Sequence, residues 1–322
     1  MSQEPTSSLV IAADLGGTHL RAALVDQSGR IHAQLKRDTP HGESANCIVE
    51  SLASAAAELS SQLKSAAPTV VSAAIMVPGT VDKTNTVVVS APNLPCLDNF
   101  ALKAALQEKM NLPVLLENDA NAAAVGEMWL GAARGYSNVI CITLGTGVGG
   151  GIVLDGKLWR GADGSAGEIG HTTVEPFSGP PCKCGNHGCL EVFASATAIV
   201  RMAKEDFDKY PHSTLGLDGL TALKVYNAGI AGDKLSIDVF KRAGRYLGVG
   251  LANIITLLGP EVIVIGGGAA NGWSLFEEEM MEQIEGRVFP SRGKNVKIVT
   301  AECGDNAGLV GAAKLAFDMQ QL

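Results

Sequence analysis

Asp14-Leu15-Gly16-Gly17-Thr18 closes an apolar run that starts at Leu9. Leu144-Gly145-Thr146-Gly147-Val148-Gly149-Gly150-Gly151 closes another over Asn138–Leu144. Each glycine turn leads into a second apolar run, Leu20–Val25 and Ile152–Leu154. Those runs stop at Asp26-Gln27-Ser28-Gly29 and Asp155-Gly156. The pattern reads strand, glycine turn, strand, turn. Leu15-Gly16 recurs as Leu144-Gly145 and Val25-Asp26 as Leu154-Asp155, both 129 residues further on. Such a repeat predicts two related halves, each opening with a glycine-turned β-hairpin.

The rest of the chain alternates strand and helix patterns. Helical spacing predicts helices over Ala45–Lys64, Asp98–Met110, Ala120–Leu130, Val192–Phe207, Ser236–Leu258, Leu275–Ile284 and Ala307–Met319. Short apolar runs predict strands at Val70–Val77, Val114–Leu116, Glu261–Ile265 and Val296–Thr300. Arg160–Glu191 is polar and rich in Gly, Pro and Cys, and reads as a loop-dominated excursion. Alternation of this kind predicts an α/β class.

Composition narrows the function. The chain has 322 residues, 46% hydrophobic and 18% charged, with a formal net charge of −8. It can bury a sizeable core. With no long basic stretch, no nucleic acid and no anionic membrane is expected as main partner. No apolar run approaches a membrane span. The start Met1-Ser2-Gln3-Glu4-Pro5 lacks a basic n-region, so a soluble, cytoplasmic protein is expected. Glycine is in excess, 38 residues, against an average near 7%.

The glycine clusters are the first candidates for chemistry. At Asp14–Thr18, backbone N–H groups without an intervening Cβ can approach an anion, and Thr18 adds a hydroxyl. Asp14 could hold Mg²⁺ through oxygen; the plain alternative is a tight hairpin with a capping Asp. The stretch Gly145–Gly151, with five glycines in seven positions, is not a P-loop, because no Gly-Lys-Ser/Thr follows. A backbone cradle for phosphate explains Gly145, Thr146, Gly147, Gly149, Gly150 and Gly151 better than a simple turn does. Gly266-Gly267-Gly268 follows a buried-type strand and suits close approach of a base or ribose. Three glycine turns after three strands point to a shared nucleotide site.

Two further motifs carry side-chain chemistry. In Glu117-Asn118-Asp119-Ala120-Asn121, a carboxylate at a strand-to-helix junction is either a helix cap or a general base for phosphoryl transfer. Glu168-Ile169-Gly170-His171 precedes Cys182-Lys183-Cys184-Gly185-Asn186-His187-Gly188-Cys189-Leu190-Glu191. Three thiols and one imidazole make a tetrahedral Cys₃His zinc set, usually structural. Spacing alone leaves His171 and His187 both open as the fourth ligand. Cys47, Cys96, Cys141 and Cys303 are dispersed and read as small core or near-core residues.

Together these motifs resemble the ROK family of bacterial sugar kinases and sugar-sensing repressors. The resemblance runs from Asp14 to about Gly311, in the family's order: DLGGT, ENDANA, LGTGVGGG, EIGH and CKCGNHGCLE. It implies the actin-like, ribonuclease-H-like ATPase fold, two α/β domains with an interdomain cleft. A small domain is expected over 1–118, with a C-terminal helix at 306–322 packing back on it. A large domain is expected over 119–305, containing the zinc loop. The implied activity is ATP-dependent phosphorylation of a hexose, glucose first, with Mg-ATP as co-substrate and zinc structural. Other hexoses remain as alternatives: fructose, mannose, allose or an N-acetylhexosamine. A non-catalytic sugar sensor is the other alternative, although the short stretch before Leu9 leaves no room for a helix-turn-helix segment.

The resemblance also implies residue roles. Asp119 is the base, and Gly79, Asn93, Asn118, Glu168, His171 and Glu191 surround the sugar. Asp14, Gly16, Gly17, Thr18 and Gly145–Gly151 take the phosphates, and Gly266–Gly268 the adenosine. His171 becomes the zinc ligand beside Cys182, Cys184 and Cys189. A homodimer or dimer of dimers is implied as well. One departure stands out: relatives often carry Gly-Trp after Asn-Leu-Pro, whereas here Asn93-Leu94-Pro95 is followed by Cys96-Leu97.

Overall fold

The computed structural model describes residues 8–42, 44–63, 68–289 and 295–320. By compactness the chain falls into two units. The first holds Met1–Gly135, Gly151–Ala166 and Glu302–Leu322; the second holds Tyr136–Gly150 and Gly167–Ala301. The division differs from the expected boundary at 118/119. The helix that begins at Asp119 and the stretch from Gly151 to Ala166 both fall in the first unit.

The first unit opens with β1 (Leu9–Leu15), β2 (His19–Asp26) and β3 (Ile31–Asp38), then α1 (Ala45–Ser61) and β4 (Val70–Val77). A small ribbon, β5 (Thr80–Val81) and β6 (Val88–Ser90), precedes α2 (Leu102–Met110), β7 (Val114–Asn118) and α3 (Asp119–Leu130). Its sheet has the order β3-β2-β1-β4-β7: β1 to β3 are antiparallel, while β4 and β7 run parallel to β1.

The central strand is apolar on both faces because both are covered. Leu9, Ile11, Ala13 and Leu15 face a core with Ile48, Leu52 and Leu59 of α1 and Leu102 and Leu106 of α2. Val10 and Ala12 face the other side, against Ala122 of α3 and Leu309, Ala312, Ala313, Ala316 and Phe317 of a C-terminal helix.

The later elements are β8 (Val139–Leu144), β9 (Val148–Leu154), β10 (Lys157–Leu158), α4 (Glu191–Ala194), α5 (Ala196–Asp206), α6 (Ala222–Ile230) and α7 (Lys234–Leu258). They are followed by β11 (Val262–Gly266), α8 (Trp273–Arg287), β12 (Lys297–Thr300) and α9 (Ala307–Met319). The second sheet has the order β10-β9-β8-β11-β12, with β11 parallel to β8 and to β12. Each sheet is therefore a glycine-turned hairpin continued by parallel strands, the structural form of the 129-residue repeat. Among the described residues no helix is long and apolar enough to cross a membrane.

Several elements differ from the sequence expectation. The helix expected from Asp98 starts at Leu102, because Asn99 takes a left-handed φ of 57° after the short helical turn Pro95–Leu97. The helix expected over Val192–Phe207 breaks at Ser195, whose extended backbone lets its hydroxyl cap α5 by accepting from Ala198 N at 3.0 Å. Cys47 is exposed rather than near the core, whereas Cys141 is buried.

One buried carboxylate closes the first unit. Glu127 near the end of α3 is fully buried. It accepts from Ala132 N at 2.9 Å, Glu302 N at 3.1 Å and Cys303 N at 2.8 Å. It thus ties the end of α3 to the chain that returns into α9. Glu127→Ala strands three backbone donors and should cost about 3 kcal/mol or more of stability. Urea unfolding followed by circular dichroism checks this, and a loss below about 1 kcal/mol contradicts it.

Candidate active site

In the first unit, Gly16 N donates to His19 O at 2.9 Å and closes the β1–β2 turn. Thr39, just after β3, braces that turn from the side. Its hydroxyl donates to Gly16 O at 2.7 Å and its N–H to Thr18 O at 2.9 Å. Thr18 itself is exposed. Asn93 packs on the turn, since a Cβ at Gly17 would stand 3.0 Å from Asn93 Cβ. Asp14 lies opposite Arg21 in the β1–β2 register and is ion-paired with it, with Arg21 Nε donating to Oδ2 at 3.1 Å. Arg21 also donates to Asp305 O at 2.8 Å. Arg21 stands in the apolar run Leu20–Val25 that follows the glycine turn, yet residue spacing suggested no role for it.

The capping question at Glu117–Asn121 has a clear answer. Asn118, not Asp119, is the N-cap of α3: its Oδ1 accepts from Ala120 N at 2.9 Å and Asn121 N at 3.1 Å. Its Nδ2 donates to Gly79 O at 3.0 Å, which brings the β4–β5 corner to the start of α3. Asp119 is the first helical residue and is exposed. A carboxylate there sits in the favourable field of the helix N-terminus. The first unit therefore brings Gly17 to Asn93, and Gly79 to Asn118 at the start of α3.

In the second unit the glycine turn is shorter than expected. Gly145 N donates to Gly147 O at 3.0 Å and the strand resumes at Val148. Gly149, Gly150 and Gly151 belong to β9 rather than to the turn. Their physical use is close packing. A Cβ at Gly150 would come within 2.6 Å of Gly167 O, and one at Gly151 within 2.6 Å of Ala124 Cβ.

The turn is pinned from the α4–α5 junction. Ala196 N donates to Gly145 O at 2.9 Å and Thr197 Oγ1 to Thr146 O at 2.8 Å. Glu191 Oε2 accepts from Val148 N at 3.0 Å. Gly267, after β11, has φ 88°, and a Cβ there would stand 2.5 Å from Leu144 O. Only glycine lets the Gly266–Gly268 turn lie this close to the Gly145 turn.

The polar excursion gathers the metal-type donors. His171 ends a short helical turn, Ile169–His171, and exposed Glu168 precedes it. His171 Nδ1 lies 3.6 Å from Cys182 Sγ, and Cys184 Sγ lies 3.7 Å from Cys189 Sγ. The four ligand atoms of His171, Cys182, Cys184 and Cys189 lie within 4.8 Å of one another. His187 is exposed and outside this group.

Tetrahedral zinc, with bonds near 2.3 Å to sulfur and 2.0 Å to nitrogen, separates its ligand atoms by about 3.5–3.8 Å, so the donors fit it. Burial raises the Cys182 thiol and pushes Cys189 up to about 12, whereas the Asn186 backbone N–H lowers Cys184. His171 Nε2 lies 3.9 Å from Glu168 Oε2.

The ROK family profile matches residues 10–319. A glucokinase of Halalkalibacterium halodurans is 37% identical over 310 residues, covering 95% of this chain and 94% of its own. A ROK family glucokinase of Streptomyces griseus, solved in complex with glucose and AMPPNP, superposes with a TM-score of 0.83. It is 36% identical, and the match covers 96% of this chain and 99% of that one. A xylose repressor of Caldicellulosiruptor bescii is 36% identical over 76% of this chain but only 61% of its own length. With two glycine-turned α/β sheets, the five motifs in order and a match over nearly its whole length, the chain belongs to the ROK family and has that family's actin-like ATPase fold.

Proposed function

We propose that this chain transfers the γ-phosphoryl group of ATP to the 6-hydroxyl of glucose. The observation that carries it is the near full-length likeness to glucokinases, including one whose structure holds glucose and an ATP analogue. The exposed Asp119, at a capped helix start, adds local support.

Asp119 takes the hydroxyl proton as the oxygen attacks phosphorus, and the bond to the ADP oxygen breaks. Asn93, Gly79, Asn118, Glu168, His171 and Glu191 are the proposed sugar ligands. Phosphate oxygens meet backbone N–H groups of Gly16, Gly17 and Gly145–Gly147, with hydroxyls from Thr18 and Thr146. Gly266–Gly268 face the adenosine. Mg²⁺ enters with ATP. Asp14 shares its charge with Arg21, so it orients the phosphate turn rather than supplying a free ligand. The chemistry is then mainly positioning and electrostatics.

The same reading places zinc on His171, Cys182, Cys184 and Cys189. Zinc supplies a fixed anchor and no redox chemistry. His171, held through Nδ1, keeps Nε2 for a sugar hydroxyl. Glu191, two residues past Cys189, hydrogen-bonds Val148 beside the phosphate turn, so one short segment serves both sugar and phosphate.

Coupled ADP release tests the acceptor across glucose, fructose, mannose, allose and N-acetylhexosamines. Glucose is expected to exceed the others in kcat/KM by at least about tenfold. ADP release with none of them, together with tight sugar binding, overturns the kinase reading in favour of a sensor.

A further inference from the structure

Glu117 and Arg160 form an ion pair to which no role in the reaction has yet been given. Glu117, at the end of β7, is 3% exposed. Arg160, just after β10, directs both Nε (2.8 Å) and a terminal nitrogen (2.6 Å) at Glu117 Oε2. The other oxygen, Oε1, accepts from Asn118 N at 3.0 Å and from Asn121 Nδ2 at 3.0 Å. Asn121 is 2% exposed, and among the described residues nothing donates to its Oδ1. A buried acceptor without a donor costs about 1–3 kcal/mol. The amide is thus held by what Glu117 demands, not by its own full satisfaction.

The two residues that Glu117 grips bracket Asp119. Asn118 precedes it and caps α3, and Asn121 lies in the same first turn. We propose that Arg160 is a positioning residue for phosphoryl transfer: it fixes Glu117, Glu117 fixes Asn118 and Asn121, and these set the aim of the Asp119 carboxylate. This rests on Asp119 being the base. The physical reason is geometric. A carboxylate free to rotate would grip the helix start loosely, and a displacement near 1 Å costs on the order of 10² in rate. Arg suits the task because its planar fork has little freedom once two of its N–H groups are engaged.

Arg160 also begins the segment leading to Glu168, with Ala166 N donating to Arg160 O at 3.1 Å. A loop-anchoring role alone would move glucose KM and spare kcat. A positioning role lowers kcat and moves glucose KM little.

The test uses the full chain with Arg160→Gln, Arg160→Lys and Asp119→Asn, all measured at saturating glucose and ATP. Arg160→Gln is expected to lower kcat about 10- to 100-fold with glucose KM within about threefold. Arg160→Lys should recover part of the loss. Arg160→Gln leaves a buried carboxylate uncompensated and could fail to fold. The double variant Glu117→Gln/Arg160→Gln removes that charge, and its kcat is expected to stay at least about tenfold low at a near-parental melting temperature. If the folded variants keep parental kcat, or raise only glucose KM, while Asp119→Asn is inactive, the positioning role falls and the base stands. If Asp119→Asn is as active as the parent, the base assignment itself falls, and the positioning role with it.

Discussion

Asp119→Ala should lower kcat for glucose by about 10²–10⁴, the usual worth of a general base in proton transfer. ATP binding should stay within about threefold, because the glycine turns assigned to the phosphates contain no Asp119 atom. The variant is a clean probe. Asn118, not Asp119, supplies the cap of α3, and Asp119 is exposed. Its loss removes a helix-terminus interaction, worth about 0.3–1 kcal/mol, and the bond from Ala120 N to its Oδ1 at 2.8 Å. The melting temperature should therefore barely move while turnover collapses. Coupled ADP release with a parallel thermal melt reads both. Near-parental kcat in a fully folded, metal-loaded variant would remove Asp119 from the base role.

Cys189→Ser should empty the metal site and, with it, most glucose use. Cys189 is fully buried, with Cys184 Sγ at 3.7 Å and the other two donors within 4.8 Å. Cys189 also leads directly through Leu190 to Glu191, whose carboxylate holds Val148 N. If zinc holds His171 as proposed, its loss frees His171 and Glu191 together, so glucose KM should rise at least about tenfold. Elemental analysis should give one zinc per parental chain and below about 0.1 in the variant. Chelation of the parental protein should mimic the substitution, because zinc binding is linked to folding of its loop. A metal-free Cys189→Ser with parental glucose KM and melting temperature would make the cluster irrelevant to the sugar.

The two predictions draw on different kinds of legibility. The hairpins were readable because apolar runs punctuated by glycine are local signals. Asp119 was readable as cap or base, but not as one against the other. Asn118 decides the cap alone, since its side chain reaches two and three residues ahead and also back to Gly79. β3 was missed, although Ile31, Ala33 and Leu35 alternate with polar residues, because it buries only one face part-way. The glycines at 149–151 were misplaced in a turn. Their density resembles a loop, while their use is to let a strand pass close to its neighbours.

What sequence alone determined about this protein is its repeated α/β plan, its motif order and its inventory of donors. Those depend on neighbours along the chain. Tertiary structure decided which donors meet: His171 rather than His187 beside the thiols, Arg160 on Glu117 across 43 positions, Glu127 on Glu302 and Cys303 across 175 and 176. No local spacing encodes such pairs. They exist only once the sheets and helices have packed, because a buried carboxylate or thiol takes whatever partner the folded backbone delivers within hydrogen-bonding or ligating distance.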